Sequence, residues 1–506
     1  MPLLAETLAI AMLLMLGLGA SAAFAAVPEQ YGILTPPAPR EPRVSGARIF
    51  GVRPGRPVLF TIPATGERPM TFAAKNLPAG LALDEKTGRI TGTLAKEGEY
   101  AVTLIATNAR GRAERVLKII AGDRIALTPP MGWNSWNCWA QAVDEEKVRA
   151  AADGMVASGL ANHGWTYINI DDCWQGERRP PAYALQPKGN FPDVKALADY
   201  VHALGLKIGI YSTPWKTSYA GFAGGSADTD DGRLLEKGHK FGAVSFAAAD
   251  ARQWAEWGFD YLKYDWNPID PEHTREMAEA LRDSGRDIVY SLSNTAPFEL
   301  AARWAELANS WRTTGDINDT WESVSGIGFS QDRWRPFTGP GHWSDPDMLV
   351  VGRVGWGPSL RPTSLTPNEQ YTHISLWCLL AAPLLLGCDL ENLDEFTLGL
   401  LTNDEVLEVD QDPLGRQAAR IAADGPTQVW AKDMADGSKA VGLFNLDDKE
   451  PRTVTVRWSD LGLAGPHAVR DLWCQKDLGT FDGKFEMRVL VHGVVLVRIV
   501  PIFSPR

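Results

Sequence analysis

The chain has 506 residues, a length at which two to four domains are expected. Its hydrophobic fraction of 45% and charged fraction of 22% are ordinary for a soluble globular protein. A formal net charge of −12 without a basic stripe argues against nucleic acid or an anionic membrane surface as a partner.

The first 26 residues have the features of a secretory signal peptide. An apolar run over residues 8–18 precedes a stretch of small residues, with an Ala-x-Ala cleavage pattern near Ala25 or Ala26. The segment before the run carries Glu6 and no Lys or Arg, so an uncleaved anchor is the alternative, although the run is short for a bilayer span. We therefore expect a secreted or periplasmic protein without a membrane segment after cleavage.

Residues 27–123 have the pattern of a small β-sandwich. Short β-prone runs alternate with turn clusters rich in Gly, Asn and Lys. These runs cover residues 58–62, 92–94, 100–106 and 116–120. Residues 76–81 and 88–92 resemble the immunoglobulin-like modules that accompany bacterial carbohydrate enzymes, and this resemblance implies a spacer or packing role.

Residues 124–414 alternate short apolar runs with helical stretches, which indicates repeated βα units. The runs are 167–170, 208–211, 261–264 and 288–291, and the predicted helices include 144–157, 194–204 and 271–283. The length favours one (β/α)8 barrel with insertions. A doubly wound sheet is the main alternative, but the first strand is not followed by Gly-x-Gly-x-x-Gly. Residues 415–506 return to strands and predict an antiparallel β domain.

In a barrel, residues at the carboxyl ends of the strands face the active site. Here most of the predicted strand ends carry a carboxylate beside an aromatic residue. The residues concerned are Asp171, Asp172, Tyr211, Lys263, Asp265, Ser293, Arg312, Asp316 and Asp347. Carboxylates accept hydrogen bonds from sugar hydroxyls, aromatic rings cover the apolar sugar face, and two carboxylates across a glycosidic bond can cleave it. This pattern, with 19 tryptophans in the chain, favours a carbohydrate ligand.

Two other interpretations of these aspartates stay open. Clustered aspartates also bind Mg²⁺ or Ca²⁺, although no histidine pair at ligand spacing supports zinc. A single aspartate can simply cap a helix, which suits Asp144 and Asp283 but not Asp265, because Asp265 follows Lys263 on the same strand face. We expect no metal and no cofactor.

Six motifs occur in a fixed order along the barrel. They are Met-Gly-Trp-Asn-Ser-Trp at 131–136, Ile-Asp-Asp-Cys-Trp at 170–174, Gly-Ile-Tyr-Ser at 209–212, Lys-Tyr-Asp at 263–265, Trp-Arg through Asp-Ile at 311–317 and Asp-Pro-Asp-Met at 345–348. Together they resemble glycoside hydrolase family 27, the family of α-galactosidases (melibiases) and α-N-acetylgalactosaminidases. The resemblance implies a retaining enzyme that needs no metal and acts on a terminal α-galactosyl group.

The resemblance implies a role for each matching residue. Asp265 is the expected nucleophile and Asp316 the expected general acid/base, with their carboxyl groups roughly 5–6 Å apart. Lys263 is expected to bind sugar hydroxyls and to help keep Asp265 ionised. Asp171 and Asp172 match the pair that holds O4 and O6 of galactose.

Four further positions are carried over from the same resemblance. Trp136 matches the aromatic platform, and Arg312 matches a ligand of the substituent at C2 of the sugar. Tyr211 and Asp347 match further contacts around the two catalytic groups.

The chain departs from the family pattern in two places. Eukaryotic members pair two cysteines at positions that here are Asn267 and Tyr219, which indicates loss of the whole bridge. Ser293 and Ala296 are small, as in α-N-acetylgalactosaminidases, whereas α-galactosidases place Glu and a bulky residue there; residues 294–295 differ from both subtypes. Losing one hydrogen bond to a 2-hydroxyl removes only about 0.5–1.5 kcal/mol, so α-galactosidase is expected first and α-N-acetylgalactosaminidase is the alternative.

Two further functions are weighed against these. A non-catalytic carbohydrate-binding protein would have no need for both Asp265 and Asp316. A β-L-arabinopyranosidase, whose sugar is galactose without its C6 group, is disfavoured by the complete pair of Asp171 and Asp172.

The five cysteines do not form a dense disulfide framework. Cys138 and Cys173 follow predicted strand ends and could pair in an export compartment. Cys378 and Cys388 lie in apolar surroundings and are expected to be buried thiols.

Overall fold

The computed structural model of the chain describes residues 32–502. The predicted signal peptide, residues 1–26, lies outside them. The described chain forms an N-terminal β-sandwich, a central (β/α)8 barrel and a C-terminal antiparallel β domain, so the predicted fold class is confirmed. The boundaries at 123/124 and 414/415 stay predictions.

The N-terminal module packs two sheets face to face, with strand orders β2-β9-β8-β5 and β3-β7-β6, beside a β1–β4 pair. Inward-facing apolar residues such as Ile90, Val102 and Leu117 are fully buried between them. The strands are β1 (Arg43–Val44), β2 (Ile49–Val52), β3 (Pro57–Thr61), β4 (Ala64–Thr65), β5 (Thr71–Lys75), β6 (Leu81–Leu83), β7 (Arg89–Thr93), β8 (Gly98–Asn108) and β9 (Gly111–Ala121).

The barrel sheet has eight parallel strands in the order β20-β19-β18-β17-β14-β11-β10-β23. It closes where Leu349, just after β20, pairs in parallel with Leu386 of β23. The barrel strands are β10 (Met131–Asn134), β11 (Tyr167–Asn169), β14 (Lys207–Ser212), β17 (Tyr261–Asp265), β18 (Val289–Ser293), β19 (Ser310–Arg312), β20 (Trp343–Asp345) and β23 (Leu384–Leu386). Short pairs in the loops are β12 (Gln175–Arg179) with β13 (Ala184–Pro187), β15 (Ser226–Ala227) with β16 (Val244–Ser245), and β21 (Arg353–Val354) with β22 (Arg361–Pro362).

Helices follow the barrel strands and cover the outside of the sheet. They are α1 (Trp136–Trp139), α2 (Glu145–Ala157), α3 (Val194–Ala203), α4 (Ala247–Trp257), α5 (Pro271–Asp283), α6 (Ala301–Leu307), α7 (Trp321–Gly328), α8 (Pro367–Leu380), α9 (Glu395–Leu401) and α10 (Asp404–Asp410). Asp144 caps α2 by accepting a hydrogen bond from the backbone of Lys147, as predicted. The same prediction is wrong for Asp283, which is the last residue of α5; Asp270 caps that helix instead.

The C-terminal domain packs a six-stranded sheet, β24-β25-β26-β31-β28-β29, against the β27–β30 pair. Its strands are β24 (Ala419–Asp424), β25 (Thr427–Asp433), β26 (Lys439–Asn445), β27 (Arg452–Arg457), β28 (Pro466–Asp471), β29 (Lys476–Asp482), β30 (Lys484–Val489) and β31 (Val494–Pro501). Within residues 32–502, no helix has the length and apolar character needed to cross a membrane.

The N-terminal module docks on the barrel at the end where the strands begin. Arg53 forms a 2.9 Å ion pair with Asp287, just before β18, and the hydroxyl of Thr61 donates to the carbonyl of Gly205, just before β14. Because the carboxyl ends of the strands lie at the opposite end of the barrel, this module is remote from the strand-end residues. That placement agrees with a packing role.

Candidate active site

The strand-end residues predicted from sequence come together around one cavity of about 190 Å³ at the carboxyl end of the barrel. The side chains that line it are Trp136, Asn137, Asp171, Asp172, Tyr211, Tyr219, Lys263, Asp265, Asn294, Arg312, Asp316, Asp347 and Met348. The cavity is smaller than the roughly 300–1,000 Å³ pockets of drug-sized ligands, which suits a single sugar ring. Nine of the ten predicted site residues are in this lining.

Asp265 ends β17 and lies at the base of the cavity, with 7% of its surface exposed. The Tyr211 hydroxyl donates to its Oδ2 at 3.1 Å, and the Asn294 amide donates to its Oδ1. Burial raises the pKa of Asp265 to about 6, and the positive charge of Lys263 opposes this rise. The carboxylate is therefore held by two donors in a partly desolvated position.

Lys263 lies two residues before Asp265 and forms its ion pair with Asp171, whose Oδ2 is 2.8 Å away. Burial alone would lower the pKa of Lys263, but the charges of Asp171 and Asp265 raise it overall. The ammonium therefore stays charged and stabilises the ionised forms of both Asp171 and Asp265.

Asp172 is buried beside Asp171 and is held by two backbone donors and one side-chain donor. Its Oδ2 accepts from the backbone of Ala220 at 3.0 Å, and its Oδ1 accepts from the backbone of Cys173 at 2.7 Å and from the amide of Gln175 at 2.9 Å. Burial raises the pKa of Asp172, although the hydrogen bond from Ala220 opposes this. These contacts fix the carboxylate in one orientation.

Asp316 stands at the mouth of the cavity, with 77% of its side chain exposed. Its Oδ1 lies 3.2 Å from the Arg312 guanidinium. Partial burial raises the pKa of Asp316, but the charges of Arg312 and Lys263, with the hydrogen bond from Arg312, together outweigh that effect and hold the pKa below its usual value. The carboxyl at the mouth is thus ionised more readily than the one at the base.

Arg312 is buried and bridges two carboxylates. Besides Asp316, it contacts Asp347 at 2.8 Å, and Asp347 also accepts a hydrogen bond from the backbone of Ile317. Burial raises the pKa of Asp347, and the charge of Arg312 opposes that rise. The backbone of Asp347 has a φ of 85°, a left-handed conformation that is unusual outside glycine. Strain of this kind concentrates at functional sites.

Ser293 differs from the other predicted site residues. Ser293 is 2% exposed and lies opposite Asp265 in the register of β17 and β18. It does not line the cavity, because Asn294 forms the wall at this strand end. Ala296 is also buried, and its backbone donates to the carbonyl of Arg312. Asn294 has a φ of 76°, so its side chain leaves the strand alternation and turns toward Asp265.

Asn137, Tyr219, Asn294 and Met348 were not predicted as site residues. In the sequence, Tyr219 and Asn294 stand out only as departures from the family pattern. That difference in residue type is the only feature of the sequence that marks them as site residues. Loop residues have no periodicity that indicates where their side chains point.

The disulfide between Cys138 and Cys173 that the sequence suggested is not formed. All five cysteines lie within residues 32–502 and are thiols, and four of them are buried. Burial raises the pKa of the Cys138 thiol, and the nearby Cys388 raises it further. Cys378 and Cys388 are buried, as expected. Within the same range, no group of three or more His, Cys, Asp and Glu side chains is arranged to hold a metal ion.

A (β/α)8 barrel that surrounds a sugar-sized cavity with carboxylates is the arrangement of a glycoside hydrolase. Sequence profiles specify the family. Residues 128–412 match the profile described as alpha galactosidase A, residues 424–499 its C-terminal beta sandwich domain, and residues 42–120 an Ig domain. The chain belongs to the α-galactosidase (melibiase) family, glycoside hydrolase family 27.

Individual relatives agree with this assignment. The α-galactosidase of Coffea arabica is 40% identical over 77% of this chain and 98% of its own length, and the α-N-acetylgalactosaminidase of Gallus gallus is 33% identical over 74% and 94%. The solved structure of a Bacteroides fragilis protein assigned to the α-galactosidase/melibiase class superimposes with a TM-score of 0.82 at 34% identity. That match covers 91% of this chain and 98% of the other.

Proposed function

We propose that this chain is a retaining exo-glycosidase that removes terminal α-linked galactose from oligosaccharides or polysaccharides. The observation that carries this proposal is the placement of two carboxylates at different depths of one sugar-sized cavity. Asp265 lies buried at its base, held by Tyr211 and Asn294, and Asp316 stands exposed at its mouth beside Arg312. α-Galactosidase relatives that match most of the chain support the substrate class.

In the first step, one carboxylate oxygen of Asp265 attacks the anomeric carbon of the bound sugar. The bond from that carbon to the glycosidic oxygen breaks, and Asp316 donates its proton to that oxygen, so the aglycone leaves as an alcohol. The product is a galactosyl ester of Asp265, and Asp316 is left ionised. Arg312, 3.2 Å from Asp316, stabilises that anion.

In the second step, Asp316 acts as a base. It takes a proton from a water molecule, whose oxygen attacks the anomeric carbon and displaces the Asp265 carboxylate. Two inversions at the same carbon give net retention of configuration. The exposure of Asp316 suits this step, since water must reach the carbon from the same side that the aglycone left.

The inner wall of the cavity binds the hydroxyl groups of the sugar in this proposal. Lys263 and Asp171 form a pair that can donate to one hydroxyl and accept from the next, and Asp172 is held in one orientation by Ala220 and Gln175. A fixed carboxylate recognises a hydroxyl without losing further side-chain freedom on binding. Trp136 offers the apolar face of the ring a flat contact.

α-N-Acetylgalactosaminidase is the second candidate, and it rested on Ser293 and Ala296. Both are buried, and Asn294 forms the wall beside them, which weakens the argument from their small size. α-Galactosidase therefore stays the first choice.

A side-by-side assay tests this ranking. p-Nitrophenyl glycosides of α-galactose, α-N-acetylgalactosamine and β-L-arabinopyranose are compared by kcat/KM at equal enzyme concentration. We expect the α-galactoside to be hydrolysed fastest. A strong preference for the acetamido sugar would reverse the ranking, and no turnover of any of the three would favour a carbohydrate-binding protein.

Export is a separate proposal. Residues 1–26 are proposed to direct the chain out of the cytoplasm and to be removed near Ala25 or Ala26. N-terminal sequencing of the protein from its native host is the test, because an intact Met1 in the mature protein would contradict cleavage.

A further inference from the structure

Tyr219 lies in the loop between β14 and α4, at the mouth of the cavity. It is 41% exposed, an unusual position for an aromatic side chain that also lines a binding cavity. The reaction steps above leave it without a role.

The ring is held in place from two sides. Its centroid lies 5.2 Å from that of Trp215, at an interplanar angle of 68°, and 5.1 Å from that of His239. Trp215 and His239 stack on each other at 14°, and His239 also contacts the carbonyl of Ser218. Because neighbouring rings fix its orientation, Tyr219 presents its exposed surface without a large loss of conformational entropy on ligand binding.

The hydroxyl of Tyr219 is tied to the reaction centre by a single amide. Nδ2 of Asn294 donates one hydrogen to the Tyr219 hydroxyl, at 3.1 Å, and the other to Asp265. Since the Tyr219 oxygen accepts this bond, its own O–H proton remains to be donated to a ligand.

The position of Tyr219 relative to the carboxylates identifies which part of a substrate it meets. One amide, that of Asn294, bridges the Tyr219 hydroxyl to Asp265, and Tyr219 lines the same cavity as Asp316. Burial and the charges of these two carboxylates raise the pKa of Tyr219, so its hydroxyl keeps its proton. Asp316 is the exposed group that would protonate the departing oxygen. An exposed ring that lines the same cavity therefore faces the leaving group, whereas the buried inner wall takes the galactosyl ring.

We propose that Tyr219 forms the leaving-group subsite of this enzyme and binds the sugar ring next to the terminal galactose. The exposed part of its ring packs on the apolar face of that sugar, and its hydroxyl donates to one of the sugar hydroxyls. This inference rests on the proposed function. It implies a preference for sugar aglycones over leaving groups without a ring.

The test compares two substrates in wild-type enzyme, Tyr219→Ala and Tyr219→Phe. One substrate is an α-galactosyl disaccharide with glucose as leaving group, and the other is α-galactosyl fluoride, whose leaving group has no ring. The matched control is Phe241→Ala, which removes an aromatic side chain of similar exposure (44%) from the same loop.

We expect Tyr219→Ala to lower kcat/KM for the disaccharide at least tenfold and to change that for the fluoride less than twofold. Tyr219→Phe should give an intermediate loss, and Phe241→Ala should alter neither substrate. An equal fall on both substrates would overturn the proposal, because Tyr219 would then act only through Asn294 and Asp265. Unchanged disaccharide hydrolysis would overturn it as well. Failure of the proposed function can be told apart from failure of the Tyr219 proposal, because wild-type enzyme would then hydrolyse neither substrate.

Discussion

The ammonium of Lys263 lies 2.8 Å from Asp171, on the neighbouring part of the cavity wall, although Asp265 stands two residues further along the same strand. The side chain therefore neutralises, by contact, the carboxylate of Asp171, which we propose binds the sugar. It lowers the pKa of Asp265 through its charge at longer range. One lysine thus links the proposed sugar contact of Asp171 to the ionisation of the proposed nucleophile.

Replacing Lys263 should damage both functions at once. In Lys263→Met we expect KM to rise and kcat/KM to fall roughly tenfold to a hundredfold, because a hydrogen bond to a charged group contributes about 1.5–3 kcal/mol. The alkaline limb of the pH profile should move upward, because the pKa of Asp265 loses an opposing charge. Steady-state kinetics across pH measure both effects. Lys207→Met, at the opposite end of the barrel, is the control that should leave the profile in place.

Activity should have a bell-shaped dependence on pH, with its alkaline limb near pH 6 and its acid limb below pH 3.8, because the pKa of Asp265 is raised to about 6 and that of Asp316 is lowered from its ordinary 3.8. Above pH 6 the two carboxyl groups lose their last shared proton, so no general acid remains. Below the lowered pKa of Asp316 both carboxyl groups are protonated, so no nucleophile remains. In the proposed productive form Asp316 carries the proton, and we expect a bound sugar to favour this form by displacing water from that carboxyl. A plateau of kcat/KM extending well above pH 6 would contradict this assignment.

Asp265→Asn should abolish turnover and stabilise the fold at neutral pH. The pKa of Asp265 is raised to about 6 in the folded state, compared with 3.8 in the unfolded chain. Protonation of this carboxyl therefore stabilises the fold fully below pH 3.8, and that stabilisation is lost as the pH rises through 6. At pH 7 the buried charge destabilises the fold by up to about 3 kcal/mol, and the amide removes that charge.

The stability measurement is a thermal melt of Asp265→Asn and wild type at two pH values. Tm of the variant should exceed that of wild type by a few degrees at pH 7 and should match it near pH 4. A variant less stable than wild type at pH 7 would show that the hydrogen bonds from Tyr211 and Asn294 outweigh the burial of the charge.

Removing Asp316 should affect substrates according to their leaving group. In Asp316→Ala we expect a loss of roughly 10²–10⁴-fold for an unactivated disaccharide, the usual contribution of a general acid. α-Galactosyl fluoride should still form the galactosyl-enzyme, and added azide should then yield the α-configured galactosyl azide. The neighbouring surface variant Glu322→Gln should behave like wild type. Equal losses on both substrates would argue against Asp316 as the acid.

The sequence predicts those elements whose local residue pattern is sufficient to define them. The helix expected at 271–283 is found as α5 (Pro271–Asp283), because its apolar spacing, its Pro at the first position and its cap at Asp270 all agree. Asp265 and Arg312 are found at the carboxyl ends of their strands, since a barrel places every strand end at the same site.

The features that the sequence does not predict depend on three-dimensional contacts. The turn of Asn294 toward Asp265 follows from a left-handed backbone at φ 76°, which strand periodicity does not indicate. Tyr219 reaches the same place from a loop. The contact between Lys263 and Asp171 joins β17 to a residue two positions past the end of β11, and no spacing in the sequence encodes it.

The central claim is that Asp265 forms the covalent bond to the sugar, and trapping that ester tests it most directly. A fluorinated α-galactosyl fluoride that forms the galactosyl-enzyme faster than it is hydrolysed is incubated with wild-type enzyme, which is then digested with trypsin. Mass spectrometry should place the added sugar on the peptide of residues 264–275, with fragmentation assigning it to Asp265. A label on any other residue, or inactivation without a covalent adduct, would contradict the assignment.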